Sequence, residues 1–320
     1  MYNTAINYFL LFCNMVELRN VTFFYKGAKR PALSDVSAKV GTGLYLLAGE
    51  NGAGKTTLLH IIAGLSHPKS GTSKIDSHLS AATDPAEIGD VFILEDNMIF
   101  PGKTIREFKT LHSRFYPNFS EEMFEANLKA FGQTGDEPME SHSLGNRKKA
   151  QLAYVLALGV KVLLLDEPTN ALDIEGRETL RRLIATDICD DQTIIVSTHT
   201  VSDLDKLFDG ALIMHQSRLV FAGTEEDVAE KIVFEYSKEK DPESLYSENI
   251  AGRYLNVYPA CGREETRVDW KALYMALHSD KSQRIIKQLQ KQRKTGHHLF
   301  PGPEWPSYID TTLLGSGSRL

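Results

Sequence analysis

Residues 49–57 read Gly-Glu-Asn-Gly-Ala-Gly-Lys-Thr-Thr, a run that lies between the apolar stretches LYLLA and LLHIIAGL. Gly49-x-x-x-x-Gly54-Lys55-Thr56 is the spacing of a phosphate-binding loop, and its flanks put it directly after a strand and directly before a helix. Glycines let such a backbone wrap closely around phosphates. The amides of Gly52, Gly54, Lys55 and Thr56 can then point inward at the positive end of the helix. Lys55 has the reach for the β- and γ-phosphates, and the Thr56 hydroxyl suits one position on Mg²⁺. Asn51, Ala53 and Thr57 complete the candidate cradle. The chemistry of this loop is that of a nucleoside triphosphate.

A phosphate loop alone does not separate ATPases from GTPases, kinases or helicases. Val162-Leu163-Leu164-Leu165-Asp166-Glu167 narrows the choice, because it reads as a buried strand delivering two carboxylates at its C-terminal end, where open α/β sheets bind ligands. Asp166 suits the surroundings of Mg²⁺, and Glu167 suits polarising the water that attacks the γ-phosphate. With VLLLDEPTNALD beside GENGAGKTT, the chain resembles the ATP-binding cassette family, the nucleotide-binding subunits of ABC transporters, over about residues 15–223.

The resemblance extends residue by residue. His199 in IIVSTHT matches the switch histidine, Tyr25 in VTFFYKG matches the aromatic that stacks on adenine, and Asp173 in NALD matches the loop that touches a partner subunit. Phe23 and Phe24 beside Tyr25 could also serve in stacking. Two segments depart from the family pattern. The signature, usually LSGGQ, is here His142-Ser143-Leu144-Gly145-Asn146. Ser143 and Gly145 keep a hydroxyl and a close backbone amide for the γ-phosphate of ATP bound to another subunit, while Leu144 adds bulk. Where the family carries a glutamine that contacts Mg²⁺, Glu95 in FILEDNMIFPG is the best match; it can still ligate the ion, but adds negative charge beside Asp166 and Glu167.

The elements that must position these residues are legible in coarse outline. VELRNVTFFY alternates, and GLYLLAG, VFIL, KVLLLDE and QTIIVSTH are short apolar runs of the kind buried on both faces of a parallel sheet. KTTLLHIIAGL, TIREFKTLHSRF, SEEMFEANLKAFG, RKKAQLAYVLALG and GRETLRRLIATDI carry helical patterns between them. The expectation is therefore α/β: a P-loop NTPase with a mostly parallel core sheet. The resemblance adds an antiparallel β subdomain near the N-terminus and a helical signature subdomain over about 104–160. Residues 1–14 read as an extension, 15–223 as the ATPase domain and 224–320 as a partly helical extension.

Bulk composition agrees with one large domain and an appendage. In 320 residues, 42% are hydrophobic and the net charge is -6, which argues against general polyanion binding. Cys13, Cys189 and Cys261 are odd in number and far apart, implying neither a disulfide framework nor a zinc site and fitting a reducing cytoplasm. No run is long enough to span a membrane, and MYNTAINYFLLFC lacks the basic start and cleavage site of a signal peptide.

One phosphate loop and one signature per chain imply, through the family, half of each of two sites. The expected protein is the ATPase subunit of an ABC transporter, binding ATP and Mg²⁺, pairing with itself or with another such subunit, and lying at the cytoplasmic face of the membrane through separate transmembrane subunits. LHSRFYPNFSEEMFEANLKAFG is loosely similar to export-type members. A soluble cassette ATPase acting on ribosomes or nucleic acid is the alternative; the paired cassettes or long coiled coil of such proteins are not seen. A binding-only cassette would lack Glu167 or His199, and both are present. DWKALYMALHSDKSQRIIKQLQKQRK reads as one or two amphipathic helices, with six basic residues and no acid over 281–294. That face reads either as solvated or as lying near anionic lipid headgroups. His297 and His298 have no third ligand nearby.

Overall fold

The structure, a computed structural model, describes residues 16–76, 78–80, 89–187, 191–199 and 207–291. The readings of the N-terminal extension, Cys13, Cys189, the two adjacent histidines and the last basic residues of 281–294 lie outside them. The chain divides into two compact units, meeting in sequence between Gly223 and Thr224.

In the first unit, β1 (Val16–Phe23) and β2 (Leu33–Val40) precede β3 (Gly43–Gly49), which runs through the phosphate loop into α1 (Lys55–Ile62). The strands β4 (Ser70–Ile75), β5 (His78–Leu79) and β6 (Val91–Leu94) follow, then α2 (Ile105–His112), α3 (Glu121–Ala130) and α4 (Leu144–Val155). The unit closes with β7 (Val162–Asp166), α5 (Ile174–Asp187), β8 (Thr193–Thr198), β9 (Gly210–His215) and β10 (Arg218–Thr224). One sheet has the order β2-β1-β4-β5 and is antiparallel; the other has the order β10-β9-β3-β8-β7-β6. Within the second sheet, β3 runs parallel to β8 and β9, and β7 runs parallel to β6 and β8.

The central strands are apolar on both faces because both faces are covered. Leu163, Leu164, Leu165, Ile194, Ile195 and Val196 are all at most 1% exposed. Each such burial contributes roughly 1.5–3 kcal/mol, so this part of the sheet cannot shift register cheaply. Parallel pairing then decides where the chemistry emerges. Ala48 lies opposite Thr198, and Asp166 lies opposite Ser197, so the phosphate loop, the paired carboxylates and His199 all leave the sheet at one edge.

The helices α2, α3 and α4 form the region that carries the signature, and serine or threonine caps begin each. Thr104 accepts from the Glu107 amide, Ser120 from Met123 and Ser143 from Asn146. Between them lies an aromatic cluster around His112, whose ring stacks on Phe108 at 4.7 Å and whose Nδ1 is 2.9 Å from the Tyr154 hydroxyl. Burial pushes the Tyr116 phenol up to about 12 and holds the His112 imidazole below its ordinary 6.5. The unfolded chain therefore takes up the His112 proton first as pH falls. Stability from this group is full above pH 6.5 and declines below it, toward the depressed folded value. We predict that thermal melts of the protein fall between pH 7 and pH 5.5 and that His112→Phe flattens this decline. The same change should lower stability at pH 7 by about 1–3 kcal/mol, since the Tyr154 hydroxyl loses its partner.

The second unit starts at a capping box in which Thr224 and Asp227 satisfy each other's backbone amides ahead of α6 (Glu225–Ala229). It continues with β11 (Ile232–Ser237), β12 (Tyr246–Ile250) and β13 (Arg253–Pro259), then α7 (Trp270–Leu277) and α8 (Ser282–Leu289). The two helices match the amphipathic pattern read in the sequence. The antiparallel sheet, in the order β11-β13-β12, does not appear in that reading, which gave the extension as partly helical. Its strands are five to seven residues long. Their packing is organised around a buried polar residue, Asn256, which donates to Ser237 Oγ and accepts from the Asp241 amide.

Candidate nucleotide site

A cleft of about 530 Å³ opens at the C-terminal edge of the parallel strands, lined by the phosphate loop, Tyr25, Glu95, Asp96, Asn97, Asp166 and Glu167. The loop enters α1 through Gly54, whose φ of 106° is left-handed and whose added Cβ would meet the Ala32 carbonyl at 2.5 Å. Only glycine fits that corner. The Lys55 side chain folds back across the loop, donating from Nζ to the Gly49 carbonyl at 2.7 Å and more weakly to that of Glu50 at 3.4 Å. Burial pushes its ammonium down from the ordinary lysine value, against the attraction of Glu167 and Asp166.

Thr56 and Asp166 meet directly. Thr56 Oγ1 donates to Asp166 Oδ2 at 2.7 Å, while the other carboxylate oxygen accepts from the Ser197 hydroxyl. This is a set of hard oxygen donors, which suits Mg²⁺. Among the described residues, no group of three or more His, Cys, Asp or Glu could hold a metal unaided. Thr56 and Asp166 would hold such an ion, which would supply positive charge to bound phosphates. Glu95 lines the same cleft, with Oε1 2.7 Å from His60 Nε2 on α1.

Glu167 follows β7 with a φ of 48°, a left-handed conformation that costs a non-glycine residue energy and marks functional turns. Its amide donates to the Ser197 carbonyl at 3.0 Å, and its Oε2 stands 2.9 Å from His199 Nδ1. The pair is asymmetric in exposure: the Glu167 side chain is 13% exposed and that of His199 is 51% exposed. A carboxylate held in this way at the cleft wall can orient and polarise a water molecule, and the exposed ring of His199 is free to reach a phosphate.

Tyr25 is half exposed at the cleft mouth, with its hydroxyl 2.9 Å from Thr57 Oγ1 and its ring edge-on to Phe23. Phe23 and Phe24 do not line the cleft, and the Phe24 ring lies under Lys69 instead. Gly49 ends β3 with its carbonyl taken by Lys55, and Ala53 packs into the core; neither lines the cleft. Ser143 and Gly145 stand at the start of α4, apart from the cleft lining. A Cβ on Gly145 would meet the Ala171 carbonyl at 2.6 Å. Asp173 caps α5 through the Gly176 amide and pairs with Lys149 at 3.0 Å, which hold its carboxyl below the usual range. Sequence reasoning missed Ser197, Asp96 and His60. For Ser197 the signal was a hydroxyl directly after the apolar run Ile194–Val196 and two residues before His199.

A phosphate loop between a central parallel strand and a helix, facing acids at the end of a strand two places away in the same sheet, defines a P-loop nucleotide-binding protein. The ABC transporter family profile matches residues 33–170. The energy-coupling factor transporter ATP-binding protein EcfA1 of Mycoplasmopsis synoviae is 31% identical over 246 residues, covering 71% of this chain and 90% of that protein. The lantibiotic transport ATP-binding protein SrtF of Streptococcus pyogenes is 28% identical, covering 64% of this chain and 89% of that one. Among solved structures, the ATP-binding subunit of an ABC transporter superposes with a TM-score of 0.60 at 23% identity, over 67% of this chain and 91% of that one. The chain belongs to the ATP-binding subunits of the ABC transporter family, a family of ATPases. These two relatives cover 71% and 64% of the chain.

Proposed function

We propose that this protein hydrolyses ATP as one subunit of an ABC transporter, pairing with a second cassette subunit and driving a separate membrane-spanning partner. The observation that carries the reading is one cleft lined by Lys55, the Thr56–Asp166 pair and Glu167, with His199 bonded to Glu167. The β- and γ-phosphates rest on the loop amides and Lys55, with the adenine against Tyr25. Mg²⁺, held by Thr56 and Asp166 and flanked by Glu95, would supply charge neutralisation on the phosphate oxygens. Glu167 polarises the attacking water and takes its proton. The new bond forms from that water to the γ-phosphorus as the bond to the bridging oxygen breaks, leaving ADP and phosphate. His199 holds Glu167 in line and contacts the γ-phosphate.

The signature lies away from the chain's own cleft, which supports its use on ATP bound by another subunit. Ser143 would offer its hydroxyl and Gly145 its amide at the start of α4, and Asp173 would stand at the same face. Ser143→Arg should leave ATP binding by the single chain unchanged and abolish ATP-driven pairing, as read by size-exclusion chromatography with light scattering. Pairing that persists would remove the signature from the contact. No helix among the described residues is long and apolar enough to cross a membrane. In the proposed assembly separate subunits span the membrane, with this chain at their cytoplasmic face. The names of the relatives, ATP-binding proteins of transporters, favour that assembly over ribosomes or nucleic acid. The test is recovery of the tagged protein with Mg-ATP from detergent-solubilised membranes of its host. A stoichiometric multi-spanning protein supports the reading; ribosomal proteins or nucleic acid without a membrane partner overturn it.

A further inference from the structure

The loop after β6 carries three cleft residues, Glu95, Asp96 and Asn97, and is fastened from outside the cleft by side chains of two other elements. Lys148 of α4 donates from Nζ to the Asp96 carbonyl at 2.7 Å, and the same ammonium lies 3.6 Å from the Asp96 carboxylate. One turn further along α4, Gln151 donates to the Met98 carbonyl at 2.7 Å. From the turn after β7, Asn170 donates to the second Asp96 oxygen at 3.2 Å. Asp96 is thereby tied both to the helix that begins at Ser143 and to the turn that contains Glu167.

Lys148 is an expensive residue to keep in this place. It is 4% exposed, and burial pushes its ammonium down against the pull of Asp96, then of Asp166 and Glu167. A buried cation persists only where it is paired, and removing one partner leaves an uncompensated charge. With Lys55, it is a second buried ammonium in the field of the cleft acids Asp166 and Glu167.

We propose that Lys148, acting through Asp96 and Asn170, is a positioning residue that locks the signature helix to the turn of the catalytic acid. ATP seated in the cleft and the signature offered to a partner are then set by one rigid connection. The inference rests on the ATPase reading above and names a part of its machinery that the motifs do not contain. Lys148 does not line the cleft. Its effect is therefore on turnover and pairing rather than on capture by the phosphate loop.

The experiment is a double-mutant cycle on the full chain with Lys148→Met, Asp96→Asn and both changes together. ADP affinity of Lys148→Met should stay within about twofold and its KM should move less than about threefold, while kcat of each single variant should fall at least about tenfold. In the Glu167→Gln background, the ATP concentration for half-maximal pairing should rise about tenfold. The double variant should be no worse than the weaker single one, as expected of residues that act as a unit. A lysine that only stabilises the fold would lower Tm and leave kcat per folded molecule and pairing untouched, which overturns the proposal. Losses that multiply independently overturn it too. If Lys148→Met fails to fold, Asp96→Asn at its partly exposed loop position decides alone: unchanged kcat refutes the latch. Failure of the Glu167→Gln parent to pair on ATP counts against the transporter reading instead, and the kcat cycle still reads the latch.

Discussion

Glu167→Gln should bind ATP with undiminished affinity and turn it over about 10²–10⁴-fold more slowly. The amide keeps the volume and the left-handed turn, and it can still hydrogen-bond His199 through the contact now made at 2.9 Å. What it loses is the ability to accept a proton from water. Phosphate release under single-turnover conditions isolates the chemical step, and equilibrium binding of ATP reports the ground state. Slow turnover with intact binding places Glu167 in the transition state alone. Unchanged turnover would remove it from the chemistry and assign activation of the water to another group. Since ATP drives the proposed pairing and hydrolysis consumes that ATP, the variant should also remain paired in ATP where the parent comes apart.

Much of this site could be read without coordinates, for a physical reason. Phosphate-binding loops are local: Gly54, Lys55 and Thr56 must stand at fixed spacing on one turn, so the sequence alone displays them. Asp166 and Glu167 are legible because a strand buried on both faces leaves an unbroken apolar run before them. Partners that arrive from distant segments leave no such trace. The Asp166 carboxylate is shared by Thr56 and Ser197, and nothing in the chain order links His60 to Glu95 or Lys148 to Asp96. The resemblance to a family reached His199 and the signature, whose roles depend on tertiary placement, and it supplied the antiparallel subdomain that periodicity had not. Neither source reached the sheet of the second unit. Its strands bury one end and expose the other, so β11 reads as charged chain where Glu235 and Tyr236 face outward.

Lys55→Ala should weaken ATP binding by about 10- to 150-fold, the loss of roughly 1.5–3 kcal/mol expected for hydrogen bonds to a charged group. The side chain is already aimed along the loop, with Nζ bonded to the Gly49 carbonyl and the residue 7% exposed. It therefore gives up little conformational freedom when phosphate arrives. The position of the ammonium predicts which ligands respond. ATP and ADP, which carry the β-phosphate, should both lose affinity, and adenosine, which relies on the region of Tyr25, should not. Calorimetric titration across that series separates a phosphate contact from general damage to the fold. A uniform loss would mean that the loop itself had collapsed, because Lys55 also bridges two of its carbonyls. Intact ATP affinity would count against the phosphate-loop reading, since Lys55 is the one buried cation that the loop itself carries into the cleft.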